Sequence, residues 1–197
     1  MTRLPSKFFA ALACVTAVGA AQADDALWKT VQEQPNIVLL MRHGESQRER
    51  GRNGLAYDAG GQCQGEIMLS ELGRKNVELV GKVFKAQGVM PQVVASALCR
   101  TRDTAMLAFG KTELDPALRP LQASDKVQLR DFLAASAGWI KRYRSARPLA
   151  MVMHFPNIDA LVGEQPKYGE MVVTRADEQG ELDVLGSIVL YQGAAGD

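Results

Sequence analysis

Ile37-Val38-Leu39-Leu40-Met41 is an unbroken apolar run, entered through Asn36 and stopped by Arg42-His43-Gly44. A strand with one wet face alternates apolar and polar residues. A run without alternation must be covered on both faces, as in a parallel sheet between helices. Two further runs repeat the pattern: Val93-Val94-Ala95 stops at Ser96, and Ala150-Met151-Val152-Met153 stops at His154. Helical spacing fills the intervals. Ser70 is placed to cap a helix to about Gln87, with Leu72, Val77, Val80, Val83 and Phe84 near helical spacing and Gly88 as its stop. A second helix is expected from about Arg100 to Phe109, a third over 125–137 and a short one after Pro156. Met171–Arg175 and Val184–Tyr191 read as two last strands turning near Gln179-Gly180. Buried strands alternating with helices predict an α/β fold, a three-layer α/β/α sandwich with a mostly parallel central sheet.

The same pattern locates a site. In open α/β sheets, ligands bind just beyond the carboxyl ends of the strands. The three runs end at Arg42-His43, at Ser96 leading to Arg100, and at His154, so these residues are expected to converge. The chain has two histidines, and both stand at strand ends. A histidine after an apolar run, taken alone, is more often structural than catalytic. Here a permanent cation precedes the first imidazole, and a glycine follows it where backbone can approach a ligand closely. Residues 44–65 hold six glycines (44, 51, 54, 60, 61 and 65) and read as a long loop of the kind that often carries function.

Composition narrows the partners. Of 197 residues, 47% are apolar and 23% charged, and the formal net charge is +1. That balance is ordinary for a globular protein and sets up no global field toward nucleic acid or an anionic membrane. No aromatic-basic interleaving points to nucleic acid either. An anion must therefore be held by a local cluster of charge.

The first residues read as a targeting segment. Arg3 and Lys7 precede an apolar, small-residue stretch from Phe8 to about Ala21, and Ala21-Gln22-Ala23 offers a cleavage site before Asp24. Residues 1–23 are thus expected to be a signal peptide cut after Ala23, residues 24–35 a short helix or linker, and residues 36–197 one domain, periplasmic or secreted. The apolar stretch is too short for a comfortable membrane span, and the apolar run before Cys14 is very short for lipid attachment there. Cleavage would leave Cys63 and Cys99. In an exported protein such a pair suggests one disulfide, the alternative being two buried free thiols.

Three ordered segments carry a resemblance. "LLMRHGES" resembles the signature of the histidine phosphatase superfamily, also called phosphoglycerate mutase-like. "ASALCRTRDTAMLAFG" (95–110) resembles that family's second segment, and "VMHFPNIDALVG" (152–163) its third, around the second histidine. "LSELGRKNVELVGKVF" resembles the helix after the first motif, and "GEMVVTRADEQGELDVLGSIV" the end of exported bacterial members. The resemblance implies a phosphoglycerate mutase-like fold and no cofactor. It implies that His43 is the nucleophile and becomes phosphohistidine, that Arg42 and Arg100 hold phosphoryl oxygens, and that His154 completes the pocket. Gly44 would shape the loop and fix the ring of His43 through its backbone. Motif spacing favours Arg100 over nearby Arg102 as the pocket residue.

Elementary chemistry agrees with these roles. Phosphoryl transfer needs positioning and charge stabilisation above all. Guanidinium groups are always charged and match phosphate oxygens in pairs. A histidine nucleophile must be neutral, and neighbouring arginines favour that form. The proton donor to the leaving alkoxide is the part the pattern lacks. Many relatives place a glutamate after the second arginine, but no glutamate stands between Glu113 and Glu164. Asp125 is the nearest candidate, with Asp131 and Glu170 weaker ones. Glu45 reads either as a substrate-hydroxyl ligand or as a loop residue facing water. Two histidines and two cysteines are too few for most zinc sites, and no calcium-loop spacing appears, so no metal is expected.

The expected activity is hydrolysis of a small phosphomonoester such as a sugar phosphate. The alternatives are a phosphotransferase or mutase on the same fold, which usually takes extra loops, and a non-catalytic phosphate-binding scaffold.

Overall fold

A computed structural model describes residues 19–47 and 54–190, with side chains from Asp25 onward. Most of the expected signal segment, including Cys14, lies outside them, as do Gly51 and Tyr191. Six strands form one sheet: β1 (Ile37–Arg42), β2 (Gln92–Ser96), β3 (Glu113–Asp115), β4 (Leu149–Met153), β5 (Met171–Ala176) and β6 (Leu182–Ile188). Their spatial order is β3-β2-β4-β1-β5-β6. The first four strands in that order run parallel, and β5 is antiparallel to both β1 and β6.

Each apolar run is buried on both faces because its side chains alternate between two helical layers. Ile37, Leu39 and Met41 face one side, with Val93, Ala95, Ala150 and Val152. There they meet α1 (Gly19–Glu33) through Trp28 and Val31, α2 (Glu71–Ala86) through Val77, Val80 and Phe84, and α3 (Cys99–Phe109) through Ala105 and Ala108. Val38, Leu40, Val94, Met151 and Met153 face the other side. They meet α4 (Lys126–Arg142) through Phe132 and Ile140, α5 (Phe155–Val162) through Ile158, and Leu118 of a 3-10 turn at Pro116–Leu118. The result is the expected three-layer sandwich.

Several elements differ from the sequence expectation. The segment expected as a helix or linker is the end of α1, which also crosses the expected cleavage point after Ala23. It is no loose tether: Val31 is fully buried, and the Trp28 ring meets the edge of Phe84 at 5.0 Å. Ser70 caps α2 as read, its hydroxyl accepting the Gly73 amide at 2.9 Å. Leu72, however, is 45% exposed, because the buried stripe follows Gly73, Val77, Val80 and Phe84. Helix α4 extends to Arg142, beyond the expected 137, because Ile140 still reaches the core and Trp139 donates to the Asp115 carboxylate. Strand β3 has no apolar run to announce it. It is a three-residue edge strand paired to β2, with Leu114 exposed.

Candidate active site

Strand register builds the site. In the β1–β4 pair Arg42 lies opposite Met153, so His43 and His154 leave adjacent strands at the same level. The His43 amide continues the ladder by donating to the Met153 carbonyl at 3.0 Å. Strand β2 pairs with β4 through Ala95 and Val152, which brings Ser96 and the start of α3 to the same edge. The two imidazole centroids are 5.2 Å apart, and Arg100 lies against both rings. Arg42, expected in the same pocket, reaches it through an aromatic neighbour described below. The structure thus brings together all four residues read from the strand ends.

The partners fix both tautomers. The Gly44 carbonyl can only accept, so His43 Nδ1 carries the proton and donates to it at 2.7 Å. Nε2 is left with its lone pair, which receives a long contact of 3.3 Å from Arg100 Nε. Arginine can only donate, so His154 Nδ1 accepts from Arg100 Nη2 at 3.4 Å, and Nε2–H donates to the Ser96 hydroxyl at 3.1 Å. Both rings are buried. Burial, then Arg100 and Arg42, push His43 down to about 3, with the Gly44 carbonyl opposing. Burial, then His43 and the two arginines, hold His154 well below its ordinary value. Both imidazoles are therefore neutral at physiological pH.

Arg100 is 6% exposed and is the pocket arginine. Its Nη2 also donates to the Gly54 carbonyl at 2.9 Å. Burial lowers its pKa, while the charge of Glu66 pulls the other way. Arg102 points away: it pairs with Asp103 at 3.1 Å and contacts the Gly61 carbonyl and Cys63 Sγ. Arg42 donates from Nη1 to the Pro166 carbonyl at 3.1 Å and lies 3.8 Å above the Tyr168 ring. Arg42 Nε and Arg100 Nη1 are buried donors with no protein partner. Two orphaned guanidinium donors beside an imidazole lone pair make a site for an anion with several oxygens.

Gly44 has two roles, of which the backbone hold on the His43 ring is the one the resemblance implied. Its carbonyl holds His43, and its hydrogen leaves room for α2, where a Cβ would lie 2.6 Å from Val77 Cγ2. The Gly44 amide donates to Thr104 Oγ1 at 3.0 Å, and that hydroxyl donates to the Arg100 carbonyl at 2.7 Å, so α3 and the first motif are tied together.

Cys63 and Cys99 form a disulfide, with Cα atoms 5.9 Å apart. It fastens the glycine-rich loop to the first turn of α3, one residue before Arg100. Glu66, unread in the sequence, reinforces this joint. Its buried carboxylate accepts the amides of Cys99 at 2.7 Å and Asp58 at 2.8 Å.

The candidate acids are placed differently. Glu45 turns its carboxylate to the Ser70 hydroxyl at 2.9 Å, so it is neither a free ligand nor a plain surface residue. Asp125 caps α4 by accepting the Gln128 amide, and Asp131 pairs with Arg130. Both line a cleft of about 380 Å³ shared with Leu55, Arg119 and Gln128. Leu55 follows Gly54, whose carbonyl holds Arg100, so this cleft borders the loop that walls the pocket. Glu170 accepts the Lys167 amide at 2.8 Å within a turn behind Arg42. Sequence reasoning missed Tyr168, which stands in a loop with no periodicity, at 5.4 Å between its ring centroid and that of His43. Among the described residues no group of three or more His, Cys, Asp or Glu side chains is arranged to hold a metal ion.

Comparison with known proteins places this geometry. Solved structures share the fold, three of them as follows. The protein histidine phosphatase SixA complexed with tungstate has a TM-score of 0.56 and 18% identity, covering 77% of this chain and 96% of its own. The mycobacterial glucosyl-3-phosphoglycerate phosphatase has a TM-score of 0.58 and 15% identity, over 77% and 97%. A phosphoserine phosphatase from Entamoeba histolytica, crystallised with phosphoserine, has a TM-score of 0.52 and 14% identity, over 77% and 95%. At these identities the likeness is one of fold. No curated protein matches the chain by sequence. The sequence profile that does match spans residues 38–162, from β1 through α5, and by it the chain belongs to the histidine phosphatase superfamily, branch 1.

Proposed function

We propose that this protein is a phosphatase that hydrolyses a small phosphomonoester through a phosphohistidine on His43. One observation carries the reading: His43 Nε2 is a neutral, fixed lone pair within reach of Arg100, and two arginine donors beside it lack partners. A phosphate dianion entering the pocket replaces the long Arg100–Nε2 contact and satisfies Arg42 Nε and Arg100 Nη1. Nε2 then forms the N–P bond as the ester P–O bond breaks. The arginines stabilise the charge on the equatorial oxygens. The leaving alkoxide takes a proton from a carboxylic acid, with Asp125, in the cleft beside the loop, the first candidate and Glu170, in the turn after Tyr168, the second. Water next attacks phosphorus and gives a proton back to that carboxylate, the N–P bond breaks, and inorganic phosphate leaves with His43 and the acid restored. Splitting the displacement lowers each barrier.

Hydrolysis is favoured over transfer to a second acceptor by the names of the fold neighbours, which are phosphatases. The arrangement is also intact, which speaks against a scaffold. The N-terminal composition and the Cys63–Cys99 bond support action in an oxidising compartment outside the cytoplasm. No helix among the described residues is long and apolar enough to cross a membrane.

The test is single-turnover reaction with a ³²P-labelled monoester, quenched in alkali. An acid-labile, alkali-stable label on the protein that is absent from His43→Ala, with free phosphate as final product, is the expected result. Phosphate release that survives His43→Ala would sink the mechanism. Label delivered to an added alcohol in place of water would favour a transferase.

A further inference from the structure

The two arginines are held by unlike devices. Arg100 is gripped by polar atoms: both histidines and the Gly54 carbonyl. Among the described residues Arg42 has one such bond, to the Pro166 carbonyl. The rest of its restraint is aromatic, with the Tyr168 ring 3.8 Å from its guanidinium carbon and the Phe155 ring at 5.1 Å. The segment carrying Tyr168 is itself pinned to the first motif. The Gly169 amide donates to the carbonyls of Arg42 and His43, both at 3.1 Å, and the Arg42 amide donates to the Glu170 carbonyl at 3.1 Å. The Glu170 carboxylate and the Lys167 amide close the turn between them. A strap over residues 166–170 thus carries one large flat side chain onto the face of the guanidinium while the edge keeps a donor unclaimed.

We propose that Tyr168 is a positioning residue for substrate phosphate, acting through the face of its ring on Arg42. The proposal rests on the phosphatase reading above. A long arginine side chain with one hydrogen bond has several rotamers, and choosing one costs entropy at each binding event. A ring stacked on the guanidinium selects the rotamer in advance and leaves the edge donors free. A carboxylate partner would compete with phosphate for those same donors. The π face attracts the cation without occupying a donor. The nearby imidazole of His43, 5.4 Å from the Tyr168 ring, puts this restraint beside the nucleophile.

Tyr168 lies in a partly exposed turn, so substitution there spares the core. The test compares Tyr168→Phe with Tyr168→Leu, each alone and with Arg42→Gln, by calorimetric binding of inorganic phosphate and by kcat and KM for p-nitrophenyl phosphate. Far-UV circular dichroism confirms folding, and Tyr168→Trp provides a second ring-bearing variant should Tyr168→Leu fail to fold. Cation–π contacts of this kind correspond to about a 3–30-fold change in affinity. Tyr168→Phe and Tyr168→Trp should therefore bind phosphate more tightly than Tyr168→Leu by about that factor, with the loss in Tyr168→Leu appearing mainly in KM. In the Arg42→Gln background the difference should vanish. Equal affinity of Tyr168→Leu and wild type overturns the proposal, as does equal damage by Tyr168→Phe or a ring effect that persists without Arg42. Wild-type protein that binds no phosphate overturns the phosphatase reading as well, so the two failures are distinct.

Discussion

Neutral His43 has a cost in acid that can be measured. Its ordinary value is 6.5, and the fold holds it at about 3. The unfolded chain thus binds a proton through a pH range in which the folded protein does not. The sign follows: stability is complete above about pH 6.5 and is lost as pH falls from there toward 3. Integrating between those two values, His43 costs about 2 kcal/mol by pH 5 and about 3 kcal/mol by pH 4, relative to pH 8. The comparison is wild type against His43→Asn, which has no proton to gain, by urea unfolding from pH 8 to pH 4. Asp58, whose carboxylate is stabilised by the amides of Gln64 and Gly60, titrates in both proteins and cancels to first order, and because burial and then His43 hold His154 low, the same comparison in a His154→Asn background removes its contribution. The difference in unfolding free energy, wild type minus His43→Asn, should fall by about 2 kcal/mol between pH 8 and pH 5. Saturating inorganic phosphate should flatten that slope, because an anion between the arginines favours the imidazolium. Parallel pH curves for the two proteins would refute a buried neutral His43, and with it the nucleophile's readiness.

Arg100→Lys keeps the charge but loses the fork that reaches His43, His154 and Gly54, so kcat/KM should fall about 10–100-fold; a loss under threefold in steady-state assays would deny the arginine its role. Cys63→Ala opens a bridge between residues 36 apart in sequence, which should lower unfolding free energy by about 3–4 kcal/mol by loop entropy. Reduction of the wild type should reproduce it, and unchanged urea midpoints would remove the bridge as a stabilising element. Gly73→Ala places a Cβ 2.1 Å from the Glu45 carbonyl oxygen, where backbone must move. It should cost about 1–3 kcal/mol and reduce turnover by displacing the Gly44 carbonyl; a variant with native melting temperature and native kcat would contradict that close approach.

What could be read from the sequence and what could not divide along contact range. His43, Ser96, Arg100 and His154 were legible because each ends or follows a buried strand, and parallel register carries neighbouring strand ends to one edge. The disulfide was legible as a pairing of two cysteines, but Glu66 was not. Its partners, the amides of Cys99 and Asp58, depend on how a glycine-rich loop folds back on itself. Tyr168 was missed for the same reason, since nothing local distinguishes an aromatic residue in a turn from one under an arginine. Leu72 misled because hydrophobicity marks a stripe only to within one residue, and Gly73 takes the buried place so that α2 can approach Glu45. The segment from Asp24 reads as polar, yet Trp28 and Val31, three apart, bury in the core with Leu27 packed beside them.

The pocket's charges explain why these loop residues matter. A buried cation is tolerated only when opposed or hydrogen-bonded. Arg100 has the charge of Glu66 to oppose it, that carboxylate also accepts two backbone amides, and Arg100 Nη1 has no hydrogen-bond partner. The histidines beside Arg100 contribute lone pairs but, being neutral, no negative charge. Among the described residues, Arg42 and Arg100 thus each keep one unclaimed donor. Each orphaned donor costs about 1–3 kcal/mol in the free protein, and an oxyanion relieves both at once. The same two amides that Glu66 holds also fix the loop carrying the Gly54 carbonyl, so the group that keeps Arg100 charged also helps to keep it aimed.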